Sequence, residues 1–142
     1  MLDRLYNTDI LSLSASLRNE RLDHPDATSR KVSKLCGSEV EIDIALDGSR
    51  VGAAALRVKA CALGQASAAI LKKHIVGAEL EELVKARDAL RGMLKEGSDA
   101  PDGRFGQLEL LAGVRDYPAR HQSTLLAFEA SVEAMQQALD DA

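Results

Sequence analysis

The chain has no tryptophan, and only 3% of its 142 residues are aromatic. Its core must therefore be built from Leu, Ile, Val and Ala. No apolar run approaches the length of a membrane span. The opening Met1-Leu2-Asp3-Arg4-Leu5 lacks the apolar stretch of a signal peptide. Positive charge is not in excess: the formal net charge is −4, which argues against general binding to nucleic-acid polyanions. These absences imply a soluble, cytoplasmic chain that engages neither nucleic acid nor membrane. Cysteine is also scarce, with two in all. In a reducing compartment two cysteines do not make a stable structural disulfide, and a chain of this length buries one core without it. Metal binding, sulfur chemistry or inert burial remain for Cys36 and Cys61.

What is present reads as one domain over residues 1–142. Tyr6, Ile10, Leu13 and Leu17 recur at helical spacing, which predicts an amphipathic helix over about 5–18. The polar stretch 19–33, with Pro25 inside it, reads as irregular. Val40, Ile42, Ile44 and Leu46 then alternate with Glu39, Glu41, Asp43 and Ala45, the pattern of a strand with one buried face. Asp47-Gly48 signals a hairpin turn. A return strand follows over roughly 50–60, with Leu56, Val58 and Ala60 inward. Its outward Arg57 and Lys59 are placed to pair with Glu41 and Asp43 across the ladder. The rest reads as helical. A small-residue helix over 63–76 closes at Gly77. A second helix carries Leu80, Leu83, Val84, Leu90 and Leu94. After a loop with Pro101 comes a short element with Leu108, Leu110 and Leu111. Pro118 then precedes a long helix marked by Leu125, Phe128, Val132, Met135 and Leu139. The expected class is α+β, a small antiparallel sheet covered on one face by about four to five helices.

The chemistry-bearing residues fall at the ends of the hairpin. Cys36 precedes the first clear strand and Cys61 follows the return strand, so both should lie near one end of the sheet. Gly37 lets the backbone bend beside Cys36. Cys61 opens a helix, where the unpaired N–H groups and the macrodipole favour a thiolate, and Lys59 adds positive charge nearby. Against this, free cysteines are commonly buried and inert. Of the histidines, His24 and His74 read as surface residues. His121, near the start of the last helix, is the candidate metal ligand, imidazole being a good donor to zinc and iron.

Four stretches, in this order, resemble the NifU N-terminal family of IscU/SufU-like iron–sulfur cluster assembly scaffolds. They are Tyr6-Asn7 continuing to Ile10-Leu11, then Leu35-Cys36-Gly37, then Ala60-Cys61-Ala62-Leu63-Gly64-Gln65-Ala66-Ser67-Ala68, and last Tyr117-Pro118 through Phe128. The insertion around 78–103 and the position of Arg120 are closer to the SufU-type branch, and a Leu-Pro-Pro-Val-Lys motif is absent. The resemblance implies a SufE/NifU-like fold and a scaffold, not an enzyme. Such a scaffold receives iron, and sulfur from a cysteine desulfurase, at Cys36 and Cys61 and delivers them to recipient apo-proteins. The implied cofactor is a transient iron–sulfur cluster or zinc.

The family site uses three cysteines and one aspartate. Here Ser38 stands where the aspartate is expected and Ser123 where the third cysteine is. Gln122 replaces a neighbouring histidine, with His121 one residue earlier. Serine hydroxyls are poor ligands for zinc or iron beside thiolates, so one chain does not encode the usual complete site. An external ligand, His121, or a homodimer pooling its cysteines would complete it. The alternative is a diverged interaction or sulfur-acceptor module that holds no stable cluster.

Overall fold

Strand β2 (Glu39–Asp47) and strand β3 (Arg50–Lys59) form the expected antiparallel hairpin, turning through Gly48-Ser49. The structure, a computed structural model, describes residues 7–35 and 37–142. Cys36 and Tyr6 lie outside the described residues. Val40, Ile42 and Ile44 are wholly buried and Leu56 and Val58 nearly so, which fixes the register because a slip by one residue would turn them to the other face.

The stretch 19–33 is not irregular throughout. Ala27–Val32 is a third strand, β1, antiparallel to β2 with Ala27 opposite Ile44 and Val32 opposite Glu39. The sheet order is β1-β2-β3. The strand was masked in the sequence because its inward residues, Ala27 and Ser29, are small rather than strongly apolar. The first helix, α1, is also shorter than expected, Thr8–Ser16, with the Asn7 side chain accepting from the Ile10 N–H at 3.0 Å.

Helix α2 (Ala62–His74) follows β3, and helix α3 (Leu80–Glu96) begins with a capping box between Glu79 and Glu82. Gly77 does not cap α2, which ends at Ile75. The expected short leucine element is a 3-10 segment, Gly103–Asp116. The last helix, α4 (His121–Asp140), is the centre of the fold: Leu125, Leu126, Phe128, Val132 and Met135 are all buried. It packs on β1 and β2 and against α2 and α3, so one helix supplies much of the single core.

Edge strand β3 is closed on its free side. Val51 N–H donates to Ala78 O, Gly77 N–H to Val51 O, Glu20 N–H to Leu56 O, and Val58 N–H to the Asn19 side chain. These bonds blunt an edge that would otherwise pair with another chain. The segment 19–22 thereby lies beside the outer face of the sheet. Arg57 pairs there with Glu41 (2.8 Å) and Asp43 (2.7 Å), as the charge pattern predicts, while Lys59 makes no ion pair among the described residues. No helix among the described residues is long and apolar enough to cross a membrane.

Candidate functional site

The register places Glu39 opposite Lys59. Ser38 and Ala60 therefore leave the sheet at the same end, where α2 and α4 both begin. Cys61 is the N-cap residue of α2, with extended backbone (φ −64°, ψ 171°), and its side chain makes no capping bond. The thiol is half-buried and free. Its Sγ lies 3.5 Å from Ser123 Oγ in the first turn of α4.

Close backbone approach produces that contact. A Cβ on Gly64 would stand 2.7 Å from Ala60 Cβ and 3.2 Å from Ser123 O, so only glycine lets the two helix starts meet this closely. One turn further on, the buried Ser67 hydroxyl donates to Thr124 O at 2.7 Å. These contacts lock the start of α2 to the start of α4 beside the Cys61–Ser123 pair.

The loop between β1 and β2 is tied to the same place. Ser33 N–H donates to Ser38 O (2.8 Å) and Gly37 N–H donates to Ser33 O (2.9 Å). Gly37 takes φ +71°, a conformation that disfavours any side chain. The Ser33 hydroxyl, fully buried, donates to Gln122 Oε1 at 2.7 Å. Thus Gln122 holds the loop and its neighbour Ser123 meets the thiol. Sequence reasoning missed the roles of Ser33 and Gln122, because 89 residues separate the partners and neither residue type announces such a bond.

His121 is buried, and its Nε2 lies 3.1 Å from Val114 O and 3.0 Å from Arg115 O. Facing two carbonyls, Nε2 carries the proton, and only Nδ1 keeps a lone pair. His74 bonds Gln107 at the far end of α2 from Cys61, and His24 is exposed. Among the described residues no three His, Cys, Asp or Glu side chains are grouped to hold a metal. Zinc takes thiolate, imidazole or carboxylate ligands. The described donors at this end are one thiol, one hydroxyl and an imidazole whose Nε2 is already engaged; Cys36, the other thiol expected at this site, lies outside the described residues.

Solved structures share this architecture. The nitrogen-fixing NifU-like protein (N-terminal) of Brucella abortus superposes with a TM-score of 0.95 at 43% identity, over 99% of both chains. A putative iron–sulfur cluster assembly scaffold protein for the SUF system from Fervidobacterium islandicum shares the fold, with a TM-score of 0.84 at 21% identity, over 94% of this chain and 98% of that one. Among curated proteins, the iron–sulfur cluster assembly scaffold protein IscU of Thermotoga maritima is 24% identical over 132 residues, 92% of each chain. The zinc-dependent sulfurtransferase SufU of Bacillus subtilis is 28% identical over 131 residues, 91% of this chain and 88% of that one. That last relative corrects the expectation of a non-enzyme: the same domain, nearly end to end, is a group-transfer enzyme in one of its forms. A model of the NifU-like N terminal domain matches residues 5–124, and the chain belongs to that family.

Proposed function

We propose that this chain, one domain over residues 1–142, is a cytoplasmic iron–sulfur cluster assembly domain whose Cys61 and Cys36 thiols take up sulfur. The donor is a cysteine desulfurase, and the recipients of iron and sulfur are apo-proteins. The observation that carries this reading is the half-buried free thiol of Cys61, set at the start of α2 against the start of α4. A helix N-terminus favours anionic sulfur. A thiolate there attacks the outer sulfur of a donor persulfide. The new bond joins Cys61 Sγ to that sulfur, the donor's S–S bond breaks, and the donor leaves as a thiolate. Turning the carried sulfur into sulfide takes an electron pair, supplied by a thiol or a reduced electron carrier.

The cluster is cargo. Cys36 and Cys61 are its cysteine ligands in one chain, and a homodimer would bring four, the number a cluster normally takes. His121 would join only through Nδ1. The reading is tested by anaerobic incubation with a cysteine desulfurase, cysteine, ferrous iron and a thiol reductant, then mixing with an apo-ferredoxin. The expected result is a visible cluster absorption that is lost in Cys61→Ser and passes to the ferredoxin. Absence of both chromophore and transfer at every chain concentration would contradict it.

A further inference from the structure

Ser123 is 2% exposed, and its hydroxyl has two neighbours, Cys61 Sγ at 3.5 Å and Arg120 O at 3.4 Å. Arg120 O is already served at 2.8 Å by Thr124 Oγ1. Ser123 Oγ carries one proton, which it gives to Arg120 O or to Cys61 Sγ at nearly equal distances. A thiol could donate or accept in this pair, whereas a thiolate has only acceptor capacity. A thiolate at Cys61 therefore draws the Ser123 proton to sulfur: Ser123 donates.

The spacing adds a second point. Ligands on a tetrahedral zinc with bonds of about 2.3 Å stand about 3.8 Å apart. Cys61 Sγ and Ser123 Oγ are close to that separation, yet one atom is a neutral hydroxyl oxygen, a poor partner for zinc beside soft thiolate. The geometry is that of a ligand pair, and the chemistry is that of a hydrogen-bond donor facing sulfur.

We infer that Ser123 is a positioning residue for sulfur uptake at Cys61, holding the attacking thiolate by a hydrogen bond where a thiol would instead complete a metal-binding pair. This rests on the sulfur-transfer reading. It adds that the single oxygen at position 123 sets the site toward carrying sulfur and away from keeping zinc. The backbone around Ser123 is held by contacts that do not use its side chain, namely Gly64 against Ser123 O and Ser67 against Thr124 O. Exchanging the side chain thus leaves the junction of the helices in place.

The test compares wild type, Ser123→Ala and Ser123→Cys, each kept reduced and checked for folding by thermal melting. Persulfide on the Cys61 peptide is followed by mass spectrometry after exposure to a desulfurase and cysteine. Zinc is followed by metal analysis after exchange against a weak chelator. Ser123→Ala is expected to slow persulfide formation on Cys61 about tenfold near neutral pH, the scale of a hydrogen bond to a charged group, with no gain of zinc. Ser123→Cys is expected to tighten zinc binding by about a hundredfold through an added soft ligand. Equal rates of persulfide formation in wild type and Ser123→Ala would overturn the inference. So would stoichiometric, chelator-resistant zinc in wild type that disappears in Cys61→Ser. If no chain takes up sulfur, the sulfur-transfer reading fails first, and an unchanged zinc affinity in Ser123→Cys then rejects this inference as well.

Discussion

Two polar clusters sit on the one sheet and are built in opposite ways. On the outer face, Asp43 is 3% exposed and fully served: Arg57 bonds both of its oxygens, the Leu22 N–H and the Thr28 hydroxyl add two more bonds, and Arg57 also reaches Glu41 and Glu20 O. At the end of the sheet, the Cys61 thiol has one side-chain partner among the described residues, at 3.5 Å. The first cluster spends its donors on holding β1, β2, β3 and the segment 19–22 together. The second leaves sulfur half-covered, as the proposed uptake of sulfur from a donor requires. Stability and reactivity are separated by how completely each polar group is satisfied.

The largest expected effect breaks the satisfied cluster. Arg57→Ala leaves Asp43 buried without its cation and should cost about 3 kcal/mol in urea unfolding. Sulfur uptake per folded chain should be unchanged, since Arg57 lies away from Cys61.

Acid probes the same cluster. Burial alone would raise the Asp43 pKa, but hydrogen bonds from Arg57, Leu22 N–H and Thr28, with the Arg57 charge, hold it down from 3.8 to about 2. A carboxyl more acidic in the folded chain stabilises it fully above the unfolded value and loses that contribution as pH falls through the folded one. About 2 kcal/mol should therefore vanish between pH 4 and pH 2. Denaturant midpoints across that range measure it, and Asp43→Asn should flatten the dependence.

Gly64→Ala acts on the other region. Its Cβ would meet Ala60 Cβ at 2.7 Å, inside contact distance, and crowd Ser123 O of α4 at 3.2 Å, so the start of α2 must shift. A cost of about 1–2 kcal/mol is expected, together with a loss of sulfur uptake per folded chain that Arg57→Ala does not show. The contrast between these two variants is the sharpest check that the regions have separate duties.

The smallest effect has the opposite sign. Ser29 Oγ, inside β1, is buried with no hydrogen-bond partner among the described residues. Ser29→Ala should stabilise the chain by about 1 kcal/mol, because it removes an unserved polar atom from the core. A loss of stability in calorimetry would show that the hydroxyl does have a role in the sheet.

The hairpin was legible because Val40, Ile42 and Ile44 alternate with polar residues, and alternation is a local signal. β1 was not, since Ala27 and Ser29 mark its inner face only weakly and the sheet decides their burial. Asp43 read as an outward residue placed to pair across the ladder with Arg57 and Lys59. Its burial depends on Leu22 and Thr28, which approach only once the chain has folded. At the site, Cys61 at a helix start followed from the end of β3 and the small-residue run after it. The likeness to a known family then pointed to position 123. The engagement of His121 Nε2 by Val114 O and Arg115 O, and the bond from Ser33 to Gln122, are tertiary facts with no local signature. Cys36, the other residue singled out in the sequence, lies outside the described residues, and its share in the chemistry stands as a proposal.

The most direct measurement is the mass of the Cys61 peptide after the chain has met a cysteine desulfurase and cysteine under anaerobic conditions. The account predicts a peptide heavier by one sulfur atom, reverting on reduction with a thiol and absent in Cys61→Ser. An unmodified Cys61 peptide in the folded wild-type chain, while the desulfurase itself carries persulfide, would contradict it.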